Sequence, residues 1–159
     1  MPIWTLWGIE NYQMTGIHSL PVITNAYLNG IIGFDTELAL KAMTESAMKD
    51  TCGYSMGYFV GLENYRKYGY VPCDMEMESV ARTLEYAFDD RALARFAEQI
   101  GRSEEAAYFN EQSFNYKNVF DTDICFVRGK TKEGKWRTPF APLASSQRKD
   151  DYCEGNAWQ

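Results

Sequence analysis

The chain reads as all-α, one part of an (α/α)6 toroid built from antiparallel helical hairpins with long loops and one short β-hairpin. Three observations predict this. Apolar residues recur at i, i+3, i+4 and i+7 in several segments, as in Met77, Val80, Ala81, Leu84, Ala87 and Phe88. Capping residues and glycines bracket those segments, which pairs them as hairpins. No repeat of fixed period appears, which disfavours a solenoid of stacked units. Its 159 residues, 45% hydrophobic and 24% charged, form one partial domain over 1–159 with a core of ordinary size and no second domain.

The elements follow in order. An aromatic entry at Trp4–Gly8 and a polar turn at Glu10–Gln13 precede an apolar helix-like run from Ile17 to Ile32, with Pro21 in its first turn or kinking it and Gly30 and Gly33 ending it. Asp35 or Thr36 caps a second helix to about Lys49, whose Ala39, Ala42, Met43, Ser46 and Ala47 make a narrow packing face. Thr51 to Asp74 reads as a long irregular connection. Asp74, Glu76 and Glu78 stand at a loop-to-helix junction, where carboxylates cap backbone N–H groups or orient a substrate hydroxyl. The next helix is interrupted by an Asp89-Asp90 cap, and Leu93, Phe96, Ala97 and Ile100 continue the period to Gly101, giving a hairpin. Ser103 caps a further helix, with Glu104 and Glu105 in its first turn and Ala106, Phe109, Ser113 and Tyr116 inward as far as Phe120. Phe126–Lys130 and Trp136–Phe140 flank a polar turn and read as the short hairpin.

Composition narrows the function. A net charge of −6, without a lysine and arginine stripe, argues against nucleic acid. Aromatic content of 15%, with 11 Tyr and 4 Trp, suits stacking on sugar or peptide faces, although most such rings fill helix interfaces. Cys52, Cys73, Cys125 and Cys153 have no Cys-x-x-Cys spacing, and His18 is the sole histidine, so a zinc site has little support and free thiols are expected. Neither a signal peptide nor a stretch of transmembrane length is read from the sequence.

The closing run Asp151–Gln159 carries the chemistry. Glu154, Asn156 and Trp158 set a carboxylate, an amide and an indole around Gly155, a grouping that grips a polar ring, and the indole is expected to desolvate the acid. Inverting glycoside hydrolysis needs such an acid and, about 6.5–9.5 Å away, a second carboxylate that activates water.

Glu154–Gln159 resembles the "EGNAWQ" motif of glycoside hydrolase family 92, the calcium-dependent exo-α-mannosidases. Further blocks are similar in the same order. Met1–Leu6 with Glu10–Met14 resembles "LPxWEL…NETxxM", and Gly16–Ile23 resembles "GYHxxPVI". Tyr68–Asp90 resembles "YGYVPxDxExESVxxTLEYAYDD", and Asn115–Asp121, Phe126–Gly129 and Pro139–Pro142 resemble "NYKNLFD", "FMRG" and "PFDP". The resemblance implies Glu154 as general acid, with Glu10, His18, Arg128, Asn156 and Trp158 at the substrate. Helix packing for His18, a turn carboxylate for Glu10 and a structural salt bridge for Arg128 stand as alternatives. It implies Ca2+ in the complete enzyme, with ligands mostly outside this chain, and general-base aspartates in motifs beyond Gln159. A "WDTxR" block is expected upstream of Met1. The implied partner is a mannose-containing glycan, the implied location periplasmic or secreted, and self-association through the cut helical surface is expected. This chain alone is expected to be inactive. Ile17, Cys125 and Ala141 depart from the usual Tyr, Gly and Asp.

Two rival readings stand beside this one. One is an α-helical binding module with Tyr54, Tyr58, Tyr65 and Trp136 along a peptide groove. The other is a calcium-independent α/α-toroid hydrolase or lyase using Glu154 or Glu78.

Overall fold

The computed structural model describes residues 1–2, 5–10, 14–49, 60–144 and 150–158. Strands β1 (Thr5–Leu6) and β2 (Ile9–Glu10) pair antiparallel across the turn at Trp7 and Gly8. Helix α1 (Ser19–Leu28) keeps Pro21 in its first turn, where no helical hydrogen bond is lost. It stops short of the expected Ile32 because Gly30 turns left-handed, leaving Ile31 and Ile32 exposed. Helix α2 (Thr36–Met48) begins as expected, with Asp35 Oδ1 accepting the Leu38 N–H at 2.9 Å, and it buries Leu40, Met43, Ser46 and Ala47.

Two expectations are corrected in the next stretch. The supposed irregular connection holds helix α3 (Leu62–Tyr68), bracketed by left-handed Gly61 and Gly69 and too short to show a period. Asp89 and Asp90 do not break the following helix, and α4 (Ser79–Gln99) passes through them unbroken. Tertiary partners claim both carboxylates. Asp89 Oδ2 accepts the Ile17 N–H at 2.6 Å, and Asp90 accepts the Tyr65 hydroxyl at 2.8 Å and two Arg66 N–H groups at 2.8 and 2.5 Å. The hairpin partner of α4 is therefore α5 (Ser103–Gln112), reached through a turn at left-handed Gly101. Ser103 opens α5 as its first helical residue instead of capping it.

A 3-10 helix (Asn115–Val119) replaces the expected end of that helix, and it turns Tyr116 and Phe120 outward. Strand β3 (Phe120–Asp121) pairs with β4 (Phe126–Val127), a second hairpin that the sequence pattern missed. The expected hairpin survives as a Lys130–Trp136 bridge with Arg137 N–H donating to the Gly129 carbonyl. Cys125, where the resembling family has glycine, sits at φ 57.

The main core gathers Leu20 from α1, Leu40 and Met43 from α2, Leu62 and Tyr65 from α3, Leu93 and Phe96 from α4, and Phe109 from α5. Each such large side chain stabilises the fold by about 1.5–3 kcal/mol through burial. A smaller cluster of Tyr70, Val80 and Val119, with Leu84, Val127 and Tyr152 against it, underlies the N-terminus of α4. Cys73, Cys125 and Cys153 are unpaired, as expected, and Cys52 lies outside the described residues.

Candidate active site

The N-terminus of α4 is the platform of the site. The first N–H groups of a helix lack intrahelical partners, and here a distant segment of the chain supplies them. The Asp150 carbonyl accepts the Glu78 N–H at 2.6 Å, and the Asp151 carbonyl accepts those of Val80 and Ala81 at 2.9 and 3.0 Å. Carboxylate capping, expected from Asp74, Glu76 or Glu78, is therefore not how this junction is satisfied. Glu78 occupies the cap position in left-handed backbone, buried, with Arg82 Nη2 donating to its Oε2 at 2.7 Å and no side-chain cap bond. Asp74 Oδ1 instead accepts the Lys132 N–H at 2.9 Å.

Asp151 is the buried anchor of the closing segment. Ser79 Oγ donates to its Oδ1 at 2.8 Å, and Arg137 Nε lies 3.0 Å from Oδ1 and 2.9 Å from Oδ2. Arg137 Nη2 donates to the Cys73 carbonyl at 2.6 Å, and the Tyr152 hydroxyl donates to the Val127 carbonyl at 2.7 Å. Burial, with the neighbouring Asp151 charge, pushes the Tyr152 phenol up to about 12, so it stays a donor.

Glu154 follows on this anchored stretch, exposed, at φ 54. Non-glycine residues rarely take that conformation, and the strain persists only where the surrounding structure holds it, which makes such a position a candidate for function. Burial, then the charges of Glu78 and Glu154, pushes the Cys153 thiol up to about 11, which keeps it protonated and unsuited to nucleophilic attack. Glu78 and Glu154 are thus both close enough to Cys153 for their charges to act on it. The expected desolvation of Glu154 by Trp158 is not what the packing provides. Trp158 is 67% exposed and its ring meets Phe126 edge-on at 5.3 Å, while Asn156 Oδ1 accepts the Trp158 N–H at 2.9 Å.

Arg128 joins this corner through aromatic rings. Its guanidinium lies 5.1 Å from the Phe140 ring centre, Phe140 lies 5.8 Å from Phe126, and Phe126 meets Trp158. Its charge is committed to Asp121 at 2.9 Å and its Nε donates to the Arg137 carbonyl at 2.9 Å, the salt-bridge alternative of the sequence. His18, at the start of α1, lies 3.9 Å from Glu85 Oε2, and burial raises the Glu85 carboxyl while His18 lowers it. Glu85 is two turns along α4 from Glu78, about 10 Å of helix rise. Glu10 lies in β2, paired with Thr5, and its side chain is outside the described residues. The structure thus gathers Glu154, Asn156, Trp158 and Arg128 at one corner and pairs His18 with Glu85.

The peptide groove of the rival reading is not formed as expected. Tyr65 is fully buried against Asp90, Trp136 packs on Lys130, and Tyr54 and Tyr58 lie outside the described residues. Among the described residues no group of three or more His, Cys, Asp or Glu side chains is placed to hold a metal ion.

Residues 1–159 match the catalytic domain of glycosyl hydrolase family 92. The chain belongs to this family. Its fold is similar to that of the family GH92 α-mannosidase BT3965 from Bacteroides thetaiotaomicron in complex with mannoimidazole, at 36% identity and a TM-score of 0.88 over 99% of this chain and 20% of that one. It is similar also to the family GH92 inverting mannosidase BT2199 from Bacteroides thetaiotaomicron VPI-5482, at 32% identity and a TM-score of 0.90 over 99% of this chain and 21% of that one. A curated relative from Arthroderma benhamiae, described as an uncharacterized secreted glycosidase, is 27% identical over 131 residues, 76% of this chain and 17% of the relative. The chain thus spans about a fifth of the length of the two family GH92 mannosidases and less of the secreted glycosidase, and its helices are part of the family's α/α toroid. No helix among the described residues is long and apolar enough to cross a membrane.

Proposed function

We propose that the full-length protein is an exo-acting α-mannosidase, removing terminal α-linked mannose from glycans with inversion, and that Glu154 is its general acid. The observation that carries this reading is the placement of Glu154. It is an exposed carboxylate in strained backbone, at the end of a buried anchor, in a family 92 chain similar to two solved family GH92 mannosidases. Glu154 protonates the glycosidic oxygen as the C1–O bond breaks and that oxygen takes the bonding electron pair. A second carboxylate, proposed to lie outside this chain, takes a proton from water attacking the opposite face of C1. The exposed indole of Trp158 offers an apolar face to the sugar, and Asn156, Arg128, His18 and Glu10 are proposed to border the substrate.

Calcium belongs to the proposal for the complete enzyme, where it supplies positive charge beside the sugar hydroxyls. Its ligands are proposed to lie mainly in other parts of the protein. Acid and base act as a unit, so the 159-residue chain alone is expected to release no mannose. Secretion or export to the periplasm, and preference for α-1,2 linkages, complete the reading.

The test is mannose release from α-1,2-mannobiose by the full-length protein, with calcium and with a chelator, beside Glu154→Gln. Calcium-dependent release that disappears in the variant supports both the mannosidase and the acid. A well-folded protein that releases nothing in either condition refutes the reading.

A further inference from the structure

We propose that Asp151, gripped by Arg137 and Ser79, is the positioning residue of the general acid. The proposal rests on the reading of Glu154 as that acid. Glu154 stands in neither helix nor strand, so no regular element fixes the main chain that carries it, and the segment just before it is where that main chain is held. Asp151, three residues earlier, is 4% exposed and is fixed twice. Its carbonyl closes two N–H groups of α4, and its carboxylate accepts from Ser79 on α4 and from Arg137 on the far side of the segment.

Arg137 is itself held, through Nη2 on the Cys73 carbonyl and its own N–H on the Gly129 carbonyl. Gly129 leaves the carboxylate its space, since a Cβ there would lie 2.5 Å from Asp151 Oδ1 and overlap the rest of the group. A carboxylate that is bound by two partners, buried and packed against Gly129 has little freedom to move. The main chain leaving it is aimed correspondingly, through Tyr152 pinned on Val127, to Glu154. Asp151 touches neither substrate nor reacting atoms in this scheme; it acts by fixing the proton donor. Proton delivery demands such fixing, because misplacement by about 1 Å costs on the order of 10²-fold in rate.

A donor that is misplaced has a signature that a loosened fold does not share. When the leaving group is a sugar alkoxide, bond cleavage needs the Glu154 proton. When it is 2,4-dinitrophenolate, the electron pair leaves on a stable anion and the proton is dispensable. The experiment compares kcat and KM of the full-length enzyme on α-1,2-mannobiose and on 2,4-dinitrophenyl α-mannoside for Asp151→Asn, Ser79→Ala, Glu154→Gln and the Asp151→Asn/Glu154→Gln double variant.

The expected result for Asp151→Asn is a loss of kcat on mannobiose of about 10²-fold, with little change in KM, and a loss under about 3-fold on the dinitrophenyl substrate. Ser79→Ala moves in the same direction by less, and the double variant is no slower on mannobiose than Glu154→Gln alone. The ratio between the two substrates is taken on one preparation, so a reduced folded fraction cancels. Equal losses on both substrates, or no loss on either, overturn the positioning role. If Glu154→Gln itself fails to discriminate between the substrates, the acid assignment falls, and this inference falls with it.

Discussion

Replacing Gly129 by alanine adds a single methyl group, and the structure predicts that this is among the most damaging small changes available to the chain. The φ of Gly129 lies outside the left-handed region, so no backbone penalty is involved and the cost is steric alone. The added Cβ would overlap the Asp151 carboxylate. A carboxylate at the end of a free side chain would swing away cheaply, but this one is 6% exposed and bound by Ser79 and Arg137. Moving it breaks two charge-assisted hydrogen bonds, each worth about 1.5–3 kcal/mol. Arg137 is 38% exposed and water compensates part of its loss, which leaves an expected destabilisation of about 2–4 kcal/mol. The control is Gly33→Ala, where a Cβ meets nothing within 4 Å and the expected change is within about 0.5 kcal/mol. Urea unfolding of the three chains measures this as a shift in midpoint at constant slope. A loss below about 1 kcal/mol for Gly129→Ala would refute the claim that Asp151 is rigidly held.

Other consequences are measurable in the same way. Burial pushes the Asp89 carboxyl well above its ordinary range, with Glu85 and Asp90 adding to the rise and the Ile17 N–H and Arg66 opposing it. The native state therefore binds more protons than the unfolded chain above about pH 3.9, and this contribution to stability falls as pH rises toward the folded value. Asp89→Asn should flatten that decline without lowering the urea midpoint at pH 7, and an undiminished slope would refute it. Cys125 is strained at φ 57 with a 3.6 Å Sγ contact to the Thr122 carbonyl, so Cys125→Gly should raise the unfolding free energy by about 0.5–1 kcal/mol, seen as a higher urea midpoint; a fall would refute it. Val22, Phe88, Phe114 and Tyr116 are exposed around one apolar surface on α1, α4 and the 3-10 helix. The 159-residue chain should self-associate in sedimentation velocity and Phe88→Glu should return it to monomer, whereas a parent chain already monomeric would refute the prediction.

What the sequence disclosed follows the range of the forces involved. Asp35 capping α2 and Gly101 ending the α4 region are local events, decided within a few residues, and they stand where expected. Helix α3 escaped because seven residues cannot display a helical period, and the left-handed Gly61 and Gly69 at its ends read equally as loop glycines. The supposed break at Asp89-Asp90 failed for a different reason. Two consecutive aspartates favour a cap by local preference, and only Ile17, Tyr65 and Arg66, far away in sequence, reverse that preference. The site divides likewise. Glu154, Asn156 and Trp158 could be singled out as candidates because they fall within five residues, and the family resemblance covers them. The Ser79–Asp151 bond spans 72 residues and the Arg137–Asp151 bond 14, and an aspartate at 151 looks locally like any solvated carboxylate.

The corner where α4 begins also explains how strain is held. Glu78 and Glu154 are both non-glycine residues in left-handed backbone, each costing about 1–2 kcal/mol that glycine would largely avoid. Side-chain chemistry accounts for keeping glutamate at both. Glu78 is buried with Arg82, whose side chain is 14% exposed, so the pair holds the left-handed turn. That turn places the Val80 and Ala81 N–H groups on the Asp151 carbonyl, and the segment leading to the second strained residue is thereby docked. The two strained positions form one mechanical unit. Relaxing Glu78 to glycine would remove the Arg82 pair together with the strain, leaving the cap less constrained. The strained backbone at Glu154 thus lies three residues beyond the contacts that dock the segment, and its side chain is exposed.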